Sequence, residues 1–311
     1  MTRHTQASGQ PLQQAAQHPS SKVPAGAAFW DAGLTAVSSG TSVDIVIPVY
    51  NQVDYTRKCL ESHRKHTPRR ANVIIVDNGS TDATPGYLSM LADLKIIRNT
   101  ENRGCAAAWN QGIKAATADW VAVLNNDLVL TPGWLEGLLE TALECGLDIV
   151  SPALREGPLN YDLEEYAREF VKAMGGAMRP GIAHGICFLV RRRVFDKVGL
   201  FDENFRFGQF EDLDFFQRAR EAGFALGATG RSFLHHFGSV TQNYVRRQLP
   251  QEAYEEQNRA YYRSKWQLTW GQRRLVRWKS KAKLAWWRAW ELHQSGHSLA
   301  ERWHRGQLLY E

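Results

Sequence analysis

Three adjacent polar residues, Asn125, Asn126 and Asp127, interrupt the apolar run WVAVLNNDLVL at residues 120–130. A carboxylate such as Asp127 can hold a hard divalent cation, Mg²⁺ or Mn²⁺, because these ions prefer oxygen ligands. A cation held there would bridge the phosphate oxygens of a ligand and neutralise their charge. The alternative is an ordinary polar turn, since Asn and Asp favour turns.

A second set of carboxylates, Glu211, Asp212 and Asp214, begins the segment EDLDFFQRAREAG, which is predicted to be a helix over 211–223. One acid is enough to cap a helix and compensate its dipole. Several phenylalanines lie beside these three acids: Phe205, Phe207, Phe210, Phe215 and Phe216. A carboxylate in a partly apolar pocket has a raised pKa and suits a general base. Helix capping remains the alternative.

Two adjacent histidines, His235 and His236, end a predicted strand at 232–238. A histidine there can complete a metal site with Asp127. Successive side chains of a strand point to opposite faces, so we expect only one of the two imidazoles to reach such a site. The alternative is a pair of core or surface histidines without a ligand.

Alternating strands and helices between residues 43 and 154 would position these groups. Apolar patterns predict strands at 43–50, 72–80, 95–99, 120–130 and 148–154, and helices at 55–66, 84–94, 104–117 and 133–145. This alternation indicates βαβ units. The sequence therefore predicts an α/β, Rossmann-like fold with a mostly parallel sheet and helices on both faces.

Polar residues follow three of the predicted strands, at Tyr50 and Asn51, at Asp77 and Asn78, and at 125–127. In parallel α/β sheets, ligands bind beyond the carboxyl ends of the strands. Neither a GxGxxG fingerprint nor a GxxxxGK[ST] loop is present in the sequence. A diphosphate ligand would therefore be held in another way, and a metal ion is the expected means.

The composition is that of an ordinary globular protein, with 43% hydrophobic and 23% charged residues among 311. No apolar run reaches the roughly 18 residues of a membrane span, and the N-terminal residues lack a signal-peptide pattern. We therefore expect a cytoplasmic protein. The four cysteines are far apart and have no metal-binding spacing, so we expect reduced thiols.

The net charge of +6 is concentrated at the C-terminus, where residues 271–311 contain nine Lys or Arg, three Glu and five of the 11 Trp. Within 272–292 the apolar residues have helical spacing and the basic residues occupy the other faces. Such a helix suits the surface of an anionic membrane, whereas the alternative is a helix packed against the protein or a partner. Nucleic acid is not an expected partner, because no base-reading module is present.

Eight sequence pieces occur in one order: IVIPVYNQ, IIVDNGSTD, NRGCAAAWNQGI, LNNDLVL, HGICFLVRRRVFDKVGLFDENF, EDLDFFQRAREAG, HHFGSVT and NRAYYRSKW. With these pieces, across residues 43–266, the chain resembles glycosyltransferase family 2, which has the GT-A fold, and especially its bacterial rhamnosyltransferase-like branch.

This reading divides the chain into three segments. Residues 1–42 are rich in Gln, Ser, Ala, Gly and Pro and are predicted to be a mobile leader, with a short helix at 27–34. Residues 43–245 are the expected GT-A domain, with a nucleotide-binding half at 43–154 and an acceptor and catalytic half at 155–245. Residues 246–311 are the expected helical, basic, Trp-rich tail.

The resemblance implies a role for each matching residue in binding the donor. Pro48, Tyr50 and Asn51 would line the base and ribose pocket, and Asp77 would bond the pyrimidine. The residues expected near the diphosphate and sugar are Asn102, Arg103, Gly104 and Asn110. Gly185 lies where the family places backbone against the sugar and the acceptor.

The resemblance also implies the catalytic and metal residues. Asp212, beside Glu211, matches the family's general base, and His236 or His235 matches the histidine that often joins the metal. The segment 125–127 lies where the family has its DxD motif. Its first position here is Asn125, so only Asp127 is an acidic metal ligand and the site is less charged.

Taken together, the residues and the resemblance predict a metal-dependent, inverting glycosyltransferase of hexosyl or rhamnosyl type, with Mn²⁺ or Mg²⁺ as cofactor. It would move a sugar from a UDP- or dTDP-sugar to a hydroxyl of a glycan, lipid-linked or protein acceptor, in glycan or surface-polysaccharide synthesis. We expect it in the cytoplasm, peripherally at the inner face of a membrane. The alternatives are a nucleotidyltransferase of related fold and a non-catalytic nucleotide-sugar-binding module.

Overall fold

The computed structural model describes residues 41–68, 71–248 and 253–311. The predicted leader up to residue 40, with its short helix at 27–34, lies outside the described residues. The strands are β1 (Val43–Val49), β2 (Asn72–Asp77), β3 (Lys95–Arg98), β4 (Trp120–Leu124), β5 (Leu128–Leu130), β6 (Ile149–Glu156), β7 (Met178–Pro180), β8 (Cys187–Arg191), β9 (Leu226–His236), β10 (Ala300–His304) and β11 (Gln307–Tyr310).

The helices lie between and after these strands. They are α1 (Val53–His66), α2 (Thr84–Ser89), α3 (Cys105–Ala115), α4 (Trp134–Glu144), α5 (Leu163–Met174), α6 (Arg192–Val198), α7 (Glu211–Glu221), α8 (Val240–Gln248), α9 (Ala253–Lys265) and α10 (Trp270–Ser295). None of the helices in the described ranges is long and apolar enough to cross a membrane.

One sheet contains all of these strands. Its main path runs β11-β10-β6-β8-β4-β1-β2-β3, and β9 pairs with β5, β6 and β7 off this path. The strands β4, β1, β2 and β3 are parallel to one another, while β8 is antiparallel to both β4 and β6. The predicted α/β fold with a largely parallel central sheet is therefore confirmed.

The sheet is buried on both faces because alternate residues of its central strands point to opposite sides. Ile45 and Ile47 pack with α1 and α4 in one core, whereas Val46 packs with α3 and the phenylalanines of α7 in the other. Strands covered on both faces are expected to be continuously apolar. This explains why β1 and β4 carry almost uninterrupted runs of hydrophobic residues.

The predicted strand at 120–130 is two strands in the structure, β4 and β5, separated by Asn125, Asn126 and Asp127. The apolar residues on both sides suggested one continuous strand. The polar triplet instead forms a turn, after which β5 pairs antiparallel with β9. Asn and Asp favour such turns because their side chains satisfy nearby backbone groups.

The C-terminal region is helical over α9 and α10, and it then ends in two strands that the sequence analysis did not predict. Strand β10 pairs in parallel with β6, and β11 pairs with β10 as a hairpin. The last helix is tied to the body by Arg179, which makes two 2.8 Å hydrogen bonds to the buried carboxylate of Glu291. The chain after α10 therefore extends the same sheet.

Candidate functional site

A cavity of about 490 Å³ lies beyond the carboxyl ends of β1 and β4, within the size range of ligand pockets. It brings together most of the residues predicted for the site. Those that line it are Pro48, Tyr50, Asn102, Asn125, Asn126, Asp127, Gly185, Glu211, Asp212 and His236. The predicted residues outside the lining are Asn51, Asp77, Arg103, Gly104, Asn110 and His235.

The turn at 125–127 is fixed from both sides. The backbone N–H of Asn125 donates to the carbonyl of Ile186 at 3.0 Å, which joins the turn to the segment before β8. The side-chain amide of Asn126 donates to the Thr56 hydroxyl at 2.9 Å. These contacts satisfy the polar groups of a buried turn and leave the Asp127 carboxylate directed into the cavity.

Asp127 is 4% exposed and accepts a hydrogen bond from the backbone N–H of Val240 at 3.1 Å. Its Oδ1 atom lies 3.4 Å from Nε2 of His236. Burial alone would raise the pKa of this carboxyl, but the nearby imidazole and backbone N–H groups hold it below its usual range. Asp127 is therefore ionised at neutral pH.

His236 lies between two carboxylates. Strand register aligns it with Glu156 of β6 on one side and with Leu128 of β5 on the other. Its Nδ1 is 3.1 Å from Oε2 of Glu156, and its Nε2 faces Asp127. Burial would lower the pKa of His236, but Asp127 and Glu156 raise it to about 9. In the protein without a cation, the imidazole is therefore positively charged.

His235 points to the opposite face of β9, as the alternation of strand side chains requires. Its Nδ1 is 3.0 Å from the Tyr161 hydroxyl, and its ring packs edge-on against Phe237. Burial, followed by the charges of His236 and Arg155, lowers the pKa of His235 to about 4. Of the two predicted histidines, only His236 reaches the cavity.

The described residues contain no group of three or more His, Cys, Asp or Glu side chains that could hold a metal ion. The pair Asp127 and His236 nevertheless fits a divalent cation. Nε2 of His236 is buried and has no hydrogen-bond partner within the described residues. Glu156 on Nδ1 is the usual partner of a metal-binding histidine and would fix its tautomer. Two protein ligands suffice for Mg²⁺ or Mn²⁺ when phosphate oxygens and water supply the rest.

Glu211 and Asp212 line the same cavity from the start of α7. Glu211 is 4% exposed, and its Oε2 has no hydrogen-bond partner in the described part of the chain. Burial, reinforced by the charge of Asp212, raises the pKa of Glu211 to about 8. Burial likewise raises the pKa of Asp212, against the opposing effect of backbone N–H groups. Asp212 is the more exposed of the two and faces the cavity.

The backbone at Gly185 lies directly against the Asp212 carboxylate. A Cβ atom added at Gly185 would stand 2.4 Å from Oδ2 of Asp212 and 2.7 Å from its Cβ. Both distances are far below van der Waals contact, so only glycine fits without displacing Asp212. Gly185 therefore fixes where the carboxylate lies relative to the segment that precedes β8.

The loop before α7 has an unusual backbone. Phe207, Gln209 and Phe210 have positive φ angles of 59°, 77° and 75°, and Gly208 between them has a φ of 132°. Residues other than glycine rarely adopt such angles, which cost of order 1–3 kcal/mol each. Strain of this kind persists only where the surrounding structure holds the loop in place.

Asn258 of α9 is the side chain that holds this loop. It is 1% exposed, and its amide donates to the carbonyls of Arg206 and Gly208, both at 2.9 Å. Its Oδ1 accepts the backbone N–H of Arg206, also at 2.9 Å. A residue in the C-terminal region thus positions the loop that carries Glu211 and Asp212.

Asp214, the third acid of the cluster, faces away from the cavity. Its carboxylate lies 2.8 Å from Arg218 Nε and 2.8 Å from Lys265 Nζ, and it accepts the Trp266 indole N–H at 3.1 Å. It therefore joins α7 to the end of α9. One helical turn separates a structural acid from the two acids at the cavity.

Of the residues predicted to bind the base and ribose, Pro48 and Tyr50 line the cavity, whereas Asn51 and Asp77 are buried outside its lining. Oδ1 of Asn51 accepts the backbone N–H groups of Thr81 and Asp82, at 2.7 and 3.1 Å. Oδ1 of Asp77 accepts the N–H of Ser80 at 3.0 Å. Both side chains shape the loops after β1 and β2.

The remaining predicted residues surround the start of α3. Asn102 lines the cavity, and its Oδ1 accepts hydrogen bonds from Gly104 N and from the Asn78 amide, each at 2.9 Å. Arg103 is exposed to solvent. Asn110 is buried behind the cavity, where its amide donates to the carbonyl of Phe201 at 2.9 Å. The structure therefore brings Asn102 to the cavity and leaves Arg103, Gly104 and Asn110 outside its lining.

Glu156 and Asn258 are among the residues at or near the site to which the sequence analysis gave no role. Glu156 is the last residue of β6. A polar residue at a strand end is a signal for a site, but the predicted strand ended at residue 154 and so did not include it. Asn258 belongs to the piece NRAYYRSKW, whose residues were given no role. Its function depends on a contact between α9 and a loop about fifty residues earlier, which no local pattern reveals.

Comparisons with known proteins agree with this geometry. Residues 44–211 match the family model described as Glycosyl transferase family 2. An uncharacterized glycosyltransferase of Rickettsia prowazekii, RP339, is 27% identical over 224 residues, which are 69% of each protein. The succinoglycan biosynthesis protein ExoO of Rhizobium meliloti is 33% identical over 116 residues, 37% of this chain and 33% of ExoO.

Solved structures share the fold at low identity. The structure of GalNAc-T7 with UDP, GalNAc and Mn²⁺ superposes with a TM-score of 0.53 at 16% identity, over 67% of this chain and 48% of that one. At this identity the likeness extends to the fold alone. The match covers about half of the GalNAc-T7 chain and a third of ExoO.

Proposed function

Because this chain belongs to glycosyl transferase family 2, we propose that it transfers a sugar from a nucleoside-diphosphate-sugar to an acceptor hydroxyl with inversion at the anomeric carbon. The observation that supports this proposal is that two carboxylate centres line one cavity. One contains Asp127 and His236, and the other contains Glu211 and Asp212. The first suits a diphosphate and its cation, and the second suits a proton acceptor.

In the proposed step, the Asp212 carboxylate takes the proton of the acceptor hydroxyl. The hydroxyl oxygen forms a bond to the anomeric carbon as the bond from that carbon to the diphosphate oxygen breaks, through an oxocarbenium-like transition state. The nucleoside diphosphate leaves with the bonding electron pair. Attack from the face opposite the leaving group gives inversion.

Asp212 suits this role because it is open to the cavity and its pKa is raised. A base works best when its pKa is near the operating pH. Glu211, with a pKa of about 8, stays protonated at neutral pH and adds no second negative charge beside Asp212. We therefore assign the proton transfer to Asp212 and a supporting role to Glu211.

Asp127 and His236 would hold Mn²⁺ or Mg²⁺, with Glu156 orienting the histidine. When bound, the cation supplies positive charge that stabilises the departing diphosphate. The metal requirement is part of the proposal, and Asn125 makes this site less acidic than a motif with two aspartates. Pro48, Tyr50, Asn102 and Asn126 on the same walls support a donor site beside it.

For the donor we propose a UDP- or dTDP-sugar of hexosyl or rhamnosyl type. The acceptor would be a hydroxyl of a glycan, a lipid-linked glycan or a protein, in glycan or surface-polysaccharide synthesis. The likeness to ExoO, a succinoglycan biosynthesis protein, supports a role in polysaccharide synthesis. We place the reaction in the cytoplasm, peripherally at the inner face of an anionic membrane contacted by residues 272–292.

We also propose that residues 43–245 form the catalytic domain, with the donor half at 43–154 and the acceptor half at 155–245. Residues after 246 also contact this domain, and these contacts support including part of the C-terminal region in it. Asn258 positions the catalytic loop, and β10 extends the sheet beside β6. A chain shortened to residues 43–245 would therefore lose parts of the site.

The test is a donor screen by thermal shift, in which nucleoside-diphosphate-sugars are added with and without Mn²⁺, followed by product analysis. We expect UDP- or dTDP-sugars to raise the melting temperature, more strongly with Mn²⁺, and the turnover to release a nucleoside diphosphate. Release of pyrophosphate would identify a nucleotidyltransferase instead. Binding of donors without any transfer or hydrolysis would identify a non-catalytic binding module.

A further inference from the structure

The last helix, α10, is attached to the body by one face of its C-terminal half. Trp287 and Glu291 are 5% and 1% exposed, and Glu291 forms the buried ion pair with Arg179. Leu284 is partly buried on the same face, three residues before Trp287. Residues three and four apart lie on one side of a helix. The side with Leu284, Trp287 and Glu291 is therefore the one that faces the protein.

The opposite side of α10 carries large apolar side chains without cover. Leu275, Trp278 and Trp286 are 52%, 68% and 63% exposed, and they recur through Ala282 at spacings of three and four residues. This continuous side is here called the tryptophan face. Most of the other exposed large hydrophobic residues of the protein stand singly, as is normal on a surface. A continuous apolar stripe indicates a binding surface.

Basic residues border the tryptophan face. Between Trp270 and Trp290 the helix has seven Lys or Arg and no acidic residue. Five of them flank the tryptophan face, namely Arg274, Lys279, Lys281, Lys283 and Arg288, whereas Arg273 and Arg277 lie on the side of Leu284. Within the described ranges none of the seven forms an ion pair with a carboxylate. A partner that neutralises their charge must therefore be anionic.

We propose that the tryptophan face of α10 docks on an anionic lipid bilayer. Indole rings favour the boundary between headgroups and acyl chains, and long basic side chains can extend from an apolar face towards charged headgroups. A helix with an apolar face rich in Trp and Leu and a polar face rich in Lys and Arg is typical of interfacial binding. The anionic surface supplies the negative charge that the described carboxylates of the protein do not offer these residues.

The position of α10 links this docking to the cavity. Lys283 donates to the carbonyl of Pro180 at 3.2 Å, and His184 and Gly185 line the cavity only a few residues later. Four extended residues span at most about 14 Å. The docked helix therefore stands near the wall that contains Gly185 and Asp212. If the proposed function holds, the acceptor reaches Asp212 from the membrane side of the molecule.

The experiment measures co-sedimentation of the full chain with vesicles of neutral lipid alone or with 30% phosphatidylserine (an order-of-magnitude content for an anionic leaflet). The test variant carries Trp278→Gln and Trp286→Gln. The matched control carries Met90→Gln and Leu143→Gln, which remove exposed apolar side chains, 70% and 48% exposed, from elsewhere on the surface. All four positions are exposed, so we expect both variants to melt close to the wild type.

We expect wild type and control to bind the anionic vesicles, and the tryptophan variant to bind them at least about tenfold more weakly. Binding should also weaken between 0.1 and 0.5 M salt, because added ions screen the charges. Equal binding of the tryptophan variant, or equal binding of neutral vesicles, overturns the proposal. So does a concentration-dependent dimer that the same two substitutions abolish, since the face would then bind a second copy.

Donor hydrolysis in solution separates this proposal from the proposed function. The tryptophan face lies outside the cavity, so the tryptophan variant should hydrolyse a donor in the absence of vesicles at the wild-type rate. A wild type that binds vesicles but neither transfers nor hydrolyses any donor would refute the function and leave the docking surface intact.

Discussion

Two carboxylate centres face the same cavity, and burial acts on both, yet their proton affinities move in opposite directions. Asp127 has the His236 imidazole 3.4 Å away, and its pKa falls below the usual range. Glu211 and Asp212 have no cationic partner among the described residues, and burial raises the pKa values of both. Burial penalises a lone charge, whereas a neighbouring opposite charge more than compensates.

This difference explains how one cavity can hold a cation and a base together. At neutral pH an ionised Asp127 offers oxygen ligands to a metal, and His236 would offer a nitrogen once a binding cation displaces its proton. A carboxylate with a raised pKa holds a proton more readily and is a better base. In the proposed function the two centres therefore take different roles because their neighbours differ, although all three residues are acids at the ends of secondary-structure elements.

The largest expected effect comes from Asp212→Asn, which removes the proposed base and keeps its shape. We expect kcat for transfer to fall on the order of 10²–10⁴-fold, while the affinity for the nucleotide with Mn²⁺, measured by calorimetry, stays within twofold of wild type. The control is Asp196→Asn, an exposed acid on α6. Near-wild-type turnover in the Asp212 variant would remove the assignment.

Asp127→Asn tests the other centre. It removes the ionised metal ligand, so we expect nucleotide affinity to become insensitive to Mn²⁺ and the rate to fall on the order of 10²–10³-fold. Glu156→Gln should have a smaller effect than Asp127→Asn. We expect its Mn²⁺ affinity to be about 10–100-fold weaker than that of the wild type, because Glu156 orients His236. If both variants keep the wild-type response to Mn²⁺, the metal does not bind at Asp127 and His236.

Asn258→Ala should separate the two centres, since Asn258 holds only the loop before Glu211. We expect the rate to fall on the order of 10–100-fold as Asp212 loses its position, with the response of nucleotide binding to Mn²⁺ unchanged. Ser232→Ala is the matched control, because it also removes a buried hydrogen bond, to the carbonyl of Trp134. If both variants lose a similar amount of stability but only Asn258→Ala loses rate, Asn258 has a positioning role. Equal rate losses in the two variants would indicate general destabilisation.

Glu211→Gln should change how stability depends on pH. In wild type, Glu211 keeps its proton to about pH 8, whereas the unfolded chain releases it near 4.5. Between these values the unfolded state binds fewer protons, so the free energy of unfolding falls as pH rises, by at most about 1.4 kcal/mol per pH unit. Urea unfolding at pH 5.5 and 7.5 should show Glu211→Gln gaining stability relative to wild type at the higher pH. Parallel pH profiles would contradict a protonated Glu211.

Much of the fold was predictable because its signals are local. The strands β1, β2 and β6 and the helices α1, α3 and α7 lie within a few residues of their predicted positions, since runs of apolar residues and helical spacing act over short distances. The hairpin β10–β11 was not predictable. Its strands gain their stability from pairing with β6, some 150 residues earlier in the chain, and local composition does not encode that partner.

The sequence alone determined that polar residues, Asp127 among them, would gather at the carboxyl ends of parallel strands, because the alternation of strands and helices predicts a parallel sheet. Only the tertiary structure decided which ones act together. It directed His236 and not His235 into the cavity, gave Asp214 to the contact with α9, and supplied Glu156 and Asn258 from distant segments. These choices depend on strand register and on packing between elements far apart in the chain, and such contacts leave no trace in the local pattern.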